Sequence, residues 1–96
     1  MVSIRVLLVD DDPLVRAGLR MILSSADDLD VVGEAADGAD AVDAVRADRP
    51  DVVLMDIRMP VMDGIAATTA LRRLPSPPHV IVLTTFQADD HVMDAL

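Results

Sequence analysis

Short apolar runs recur along this chain with helix-patterned segments between them, and no other feature restricts the fold as much. Residues 4–9 (IRVLLV), 52–55 (VVLM) and 80–83 (VIVL) are continuous rather than alternating and rich in valine and isoleucine. That is the pattern of strands covered on both faces. A weaker run, VVGEA at 31–35, supplies one more strand. Between the first two, Val15, Leu19, Ile22 and Leu23 fall at i, i+4, i+7 and i+8, one stripe of a helix. Val42 with Val45, Ile65 with Leu71, and Val92 with Ala95 and Leu96 continue the helical spacing. Asp12-Pro13 reads as an N-cap followed by proline at the first helical position, and Asp63-Gly64 and Ala88-Asp89-Asp90 open the third and fourth helices. The order β-α-β-α-β-α-β-α implies an α/β fold built on a doubly wound parallel sheet with helices on both faces.

The length of 96 residues allows one domain. A net charge of −9 argues against these residues gripping nucleic acid or anionic lipid directly, since both are negative. Cysteine is absent, which removes disulfides and thiolate chemistry. No apolar stretch approaches the ~20 residues of a membrane span, and Arg5 followed by three aspartates is unlike a signal peptide. A cytoplasmic location is expected.

In a doubly wound sheet, ligands bind outside the C-terminal ends of the strands. Strand one ends in Asp10-Asp11-Asp12, strand three in Asp56 and strand four in Thr84-Thr85. Carboxylates gathered at one sheet edge raise one another's pKa values. A hard divalent cation such as Mg²⁺ relieves this with oxygen ligands and leaves positions open for phosphate oxygens. A carboxylate beside such an ion can act as the nucleophile of phosphoryl transfer, with the metal and a nearby hydroxyl, here Thr84, stabilising charge on the transferred group.

VLLVDDDPLVRAGLRMIL, DVVLMDIRMPVMDG and VIVLTTF together closely resemble the receiver domain of bacterial two-component response regulators. VVGEAADGADAV and TTFQADDHVMDAL are similar to the NarL/LuxR-type branch, whose members usually carry a C-terminal helix-turn-helix DNA-binding domain. The resemblance covers essentially the whole chain and implies a flavodoxin-like, CheY-like (βα)5 fold. It implies that Asp56 accepts a phosphoryl group from a sensor histidine kinase. Asp10 and Asp11 hold Mg²⁺ together with Asp56 and the backbone carbonyl of Arg58, and Thr84 is the switch hydroxyl. Thr85, Pro60 and Gly64 border or shape the site. A homodimer on phosphorylation is expected, with DNA binding by another domain controlled through that contact.

The family's lysine, at the end of a fifth strand, has no counterpart here, for all 8 basic residues are arginine. Residues 1–96 are therefore expected to be a C-terminally incomplete receiver domain, without its fifth strand, fifth helix and output domain. Without a fifth strand, residues 80–83 would form an unpaired apolar edge. Two other functions deserve comparison. A haloacid-dehalogenase-type phosphatase also uses an aspartyl phosphate, but it needs an aspartate two residues after the nucleophile, where this chain has Arg58. A phosphorylation-independent dimerisation module would not need the set of Asp10, Asp11, Asp56 and Thr84. Simpler roles suit other residues: Asp12 and Asp63 as helix caps, and Asp27, Asp28 and Asp30 as a solvated charge run. His79 and His91 lie away from the strands' C-terminal ends. Met21, Met55, Met59, Met62 and Met93 are expected in core or loop packing, and Pro75-Ser76-Pro77-Pro78 as a helix stop and stiff loop.

Overall fold

A computed structural model describes residues 3–56 and 64–83. The elements alternate as the apolar runs demand: β1 (Ile4–Val9), α1 (Pro13–Ser24), β2 (Leu29–Ala35), α2 (Gly38–Asp48), β3 (Val52–Asp56), α3 (Gly64–Arg72) and β4 (His79–Leu83). All neighbouring strands pair in parallel, in the order β2-β1-β3-β4. The chain leaves β1 for one side of the sheet and returns to the other. The crevice between the C-terminal ends of β1 and β3 is thus the topological switch point.

Strand alternation divides the apolar side chains between two faces. Leu7 and Val9 of β1 and Val53 and Met55 of β3 meet Ala41 and Val45 of α2 and Ala67 and Leu71 of α3 in one buried cluster. The alternate residues Val6 and Leu8, also buried, point to the opposite face, the side of α1, which packs on β1 and β2. Burial of each valine, leucine or methionine among them is worth about 1.5–3 kcal/mol.

The helix starts follow local chemistry. Asp12 caps α1, its carboxylate accepting the backbone N–H of Leu14 at 2.9 Å, with Pro13 at the first position. Asp37 caps α2 in the same way through the N–H of Asp40. In β2 the register slips between Val6 and Leu7, so that Leu7 pairs with Gly33. A Cβ at Gly33 would lie 2.7 Å from Asp48 Oδ2 and 3.2 Å from Leu7 Cδ1, so a larger residue there would require the Asp48 side chain at the end of α2 to move.

Three expectations need correction. β2 begins at Leu29, two residues before the apolar run, because Leu29 and Asp30 pair with Ile4 and Arg5 of β1. Asp30 therefore belongs to a strand, although it is exposed as expected. Met21 and Ile22 are exposed on α1 (77% and 68%), so neither packs in the core. Only Val15, Leu19 and Leu23, spaced four apart, sit half-buried. Ile65 is likewise exposed, because six residues is not a whole number of turns from Leu71; Ala67, four residues away, takes the buried place. Met55 is in the core as expected. The expected caps at Asp63 and residues 88–90, and the expected roles of Met59, Met62, His91 and Met93, lie outside the described residues.

Candidate functional site

Asp10 directly follows β1, and Asp56 is the last residue of β3. Because these strands are neighbours with Val9 opposite Met55, the two carboxylates emerge side by side at the switch point. Asp11 joins them: one oxygen from each of Asp10, Asp11 and Asp56 lies within 4.8 Å of the others. Asp10 and Asp56 are buried (4% and 5% exposed), while Asp11 is exposed.

Asp10 is held from several directions. Its backbone N–H donates to the Ala35 carbonyl at 3.1 Å, anchoring it to β2. Its carboxylate accepts the backbone N–H of Asp12 at 2.8 Å, which fixes the turn into α1. Its carbonyl accepts Nη1 of Arg16 at 2.6 Å. Burial pushes the Asp10 carboxyl above its ordinary range; the Asp12 N–H pulls it back, and the charges of Asp56, Asp11 and Asp12 push it up again.

Arg16 reaches this carbonyl from the first turns of α1 while its Nε donates to Glu34 Oε1 at 3.1 Å. Glu34 Oε2 takes Nε of Arg20 at 2.8 Å. A single carboxylate on β2 thereby bridges two arginines one turn apart on α1, and one of them grips the strand end that carries Asp10. Sequence reasoning missed this group. Its only trace there was that Glu34 is the lone glutamate among 17 acidic residues.

The donor set suits a hard cation. Three carboxylate oxygens, two of them on buried side chains, are appropriate to Mg²⁺ and give no soft ligand for a thiophilic metal. Of the other residues expected at the site, Gly64 opens α3. Arg58, Pro60, Thr84 and Thr85 lie outside the described residues. His79 begins β4, at the opposite end of the sheet from the carboxylates. Among the described residues no helix is long and apolar enough to cross a membrane.

A profile of the response regulator receiver domain matches residues 6–96. The transcriptional regulatory protein LiaR of Bacillus subtilis is 49% identical over 89 residues, covering 93% of this chain and 42% of that protein. The response regulator protein VraR of Staphylococcus epidermidis is 42% identical over 94 residues, covering 98% of this chain and 45% of that protein. The chain thus spans less than half the length of these relatives. Among solved structures, the signal receiver domain of the putative response regulator NarL from Mycobacterium tuberculosis superposes with a TM-score of 0.83 at 42% identity, covering 88% of this chain and 68% of that one. A LuxR-family two-component response regulator from Aurantimonas superposes with a TM-score of 0.82 at 34% identity, covering 97% of this chain and 66% of that one. The β2-β1-β3-β4 sheet, the carboxylates at its switch point and a match running nearly the length of the chain agree, and the chain belongs to the response regulator receiver domain family.

Proposed function

We propose that this domain is a phosphoacceptor switch in which Asp56 receives a phosphoryl group from a sensor histidine kinase. The observation that carries this reading is the convergence of Asp10, Asp11 and Asp56 at the switch point of a receiver-family sheet. A carboxylate oxygen of Asp56 attacks the phosphorus of a phosphohistidine on the kinase. The P–N bond breaks, its electron pair returns to the imidazole, and an acyl phosphate forms on Asp56. Asp10, Asp11, Asp56 and the backbone carbonyl of Arg58 are the groups that would hold Mg²⁺. Bound there, the ion supplies neutralisation of charge on the transferred group.

The residues' own contributions are positional. The Asp12 N–H and the Arg16 guanidinium hold Asp10 at the end of β1. Burial keeps the nucleophile's surroundings low in water, where electrostatic contacts are strong. The Thr84 hydroxyl turns toward the phosphoryl group, Thr85 borders the entrance, and Pro60 and Gly64 shape the loop leading to α3. The added charge at Asp56 then alters a dimer or interdomain contact. In the whole protein, a cytoplasmic regulator, that contact controls DNA binding by a C-terminal helix-turn-helix domain.

Incubating the full-length protein with Mg²⁺ and acetyl phosphate tests this directly. Intact mass is expected to rise by one phosphoryl group, in a form discharged by hydroxylamine, and Asp56→Asn is expected to abolish the adduct. An absent adduct, or one that survives Asp56→Asn, would overturn the assignment.

A further inference from the structure

The opposite end of the sheet holds a cavity of about 710 Å³ between the end of α2 and the loop that leads from α3 to β4. Val45, Pro50, Leu74 and Pro78, all buried or half-buried, give it an apolar floor, and the exposed Arg46 and Arg49 stand at its rim. We propose that this cavity is a second binding site, separate from the carboxylate cluster, for a small organic anion. The apolar body would lie on Val45, Pro50, Leu74 and Pro78, with the carboxylate or phosphate between the two guanidiniums.

Three observations carry the inference. The first is charge. In a chain of net charge −9, the guanidiniums of Arg5, Arg16 and Arg20 are engaged by a carbonyl or a carboxylate, whereas those of Arg46, Arg49, Arg72 and Arg73 have no hydrogen-bond or ion-pair partner among the described residues; of these four, Arg46 and Arg49 line the cavity. The carboxylate among the lining residues, Asp51, accepts the backbone N–H of Arg5 at 2.9 Å through one oxygen, which ties it to the start of β1.

The second is backbone conformation. Arg49 closes α2 in the left-handed region, with φ 47° and ψ 59°. It is the non-glycine residue with positive φ among those described. Helices commonly place glycine there, because a Cβ is strained in that region. An arginine at this position keeps a guanidinium at the cavity rim in spite of the strain.

The third is what the walls lack. Prolines have no N–H to offer, and the backbone N–H groups of Arg49, Asp51, Leu74 and His79 are already bonded to carbonyls within the domain. An extended peptide would therefore find few main-chain donors on this surface. Recognition falls to guanidinium pairing and apolar contact, and the volume is that of small-molecule sites, roughly 300–1,000 Å³. Carboxylates and phosphates both match the fork of an arginine.

Phenyl phosphate is a suitable probe, titrated without Mg²⁺ into the ¹⁵N-labelled full-length protein. Saturable shifts are expected at the amides of Val45, Leu74 and His79 and not around Asp10 and Asp56. Arg49→Gly suits the backbone better than arginine does, so that variant folds, and it is expected to weaken binding about tenfold, as loss of one charge-assisted contact would. Arg46→Gln should weaken it comparably. Shifts that fail to saturate, that centre on the carboxylate cluster, or that persist unweakened in both variants would overturn the proposal. Inorganic phosphate binding as tightly as phenyl phosphate would overturn it too, since the apolar floor would then contribute nothing.

Discussion

The two ends of this one sheet treat charge in opposite ways. At the C-terminal end, like charges are gathered and buried: Asp10 and Asp56 are almost fully covered and lie beside Asp11. At the N-terminal end, the guanidiniums of Arg46 and Arg49 have no partner among the described residues and stand at the edge of a cavity with an apolar floor. The carboxylates sit on or just after strands, so β1–β3 pairing fixes their separation before any ligand arrives. The arginines sit on a helix end and a cap, where Arg46 also complements the negative end of α2's dipole, a contribution of about 0.3–1 kcal/mol. A rigid acidic crevice is suited to a compact ion and a covalent change, and a basic rim on longer side chains to a larger and weaker ligand.

The sharpest way to break this comparison is to remove one charge from the acidic end. Asp11→Asn is expected to lower Mg²⁺ affinity by at least the roughly 10–100-fold that even an outer-shell partner is worth. The fold should be retained, because Asp11 is exposed. Calorimetry is the appropriate measurement, since the chain has no Trp or Tyr to report binding. Arg49→Gly should leave this affinity unchanged; if it does not, the two ends are coupled.

The next effect is on stability, and its sign separates the two ends. Asp10's carboxyl titrates above its unfolded value, chiefly because it is buried. The folded state therefore holds that proton more tightly than the unfolded chain does. Its stabilising contribution is full below the unfolded carboxylate value and is lost as pH rises through the folded one. At neutral pH without metal, the ionised group opposes folding. Asp10→Asn retains an oxygen to accept the Asp12 N–H, so it is expected to raise Tm at pH 7 while weakening Mg²⁺ binding. A domain this size gains about 4–8 °C for each kcal/mol. The difference from wild type should shrink as pH falls toward 4. Thermal unfolding in a chelating buffer across that range checks it, and a lowered Tm at pH 7 would refute it.

Most of the fold was legible because parallel strands buried on both faces must be apolar without alternation, and Asp12-Pro13 names its own helix start. The start of β2 was not, since Leu29 and Asp30 are strand residues only by pairing with β1. Nor was the exposure of Met21 and Ile22: an apolar stripe says which way a helix leans, not how much of the stripe the sheet reaches. At the site, Asp10, Asp11 and Asp56 were readable from strand ends and from the family motif. The Arg16–Glu34 contact was not, because it joins residues 18 apart that meet only once β2 lies against β1. The left-handed Arg49 was hidden as well, since glycine would have announced the conformation and arginine does not.

The smallest effect concerns that hidden contact. Glu34 binds Arg16 through one oxygen and Arg20 through the other, at 3.1 and 2.8 Å, across side chains 18–45% exposed. Partly exposed pairs of this kind contribute about 0.2–1 kcal/mol each and weaken with salt. Arg16 also holds the Asp10 carbonyl, so its orientation bears on the acidic end as well as on the junction of α1 and β2. Glu34→Gln leaves the guanidiniums of Arg16 and Arg20 without their counter-charge, the first of them in contact with Asp10 of the carboxylate cluster. It should reduce stability by about 1 kcal/mol or less and Mg²⁺ affinity by a few fold, with both deficits shrinking at high salt. Glu34→Asp keeps the charge but is one methylene shorter. It is expected to hold one arginine rather than two, and so to fall between wild type and Glu34→Gln in Mg²⁺ titrations at low salt. Equal affinities in all three proteins would mean that the pair only staples α1 to β2, and that the carboxylate cluster is positioned by its strands alone.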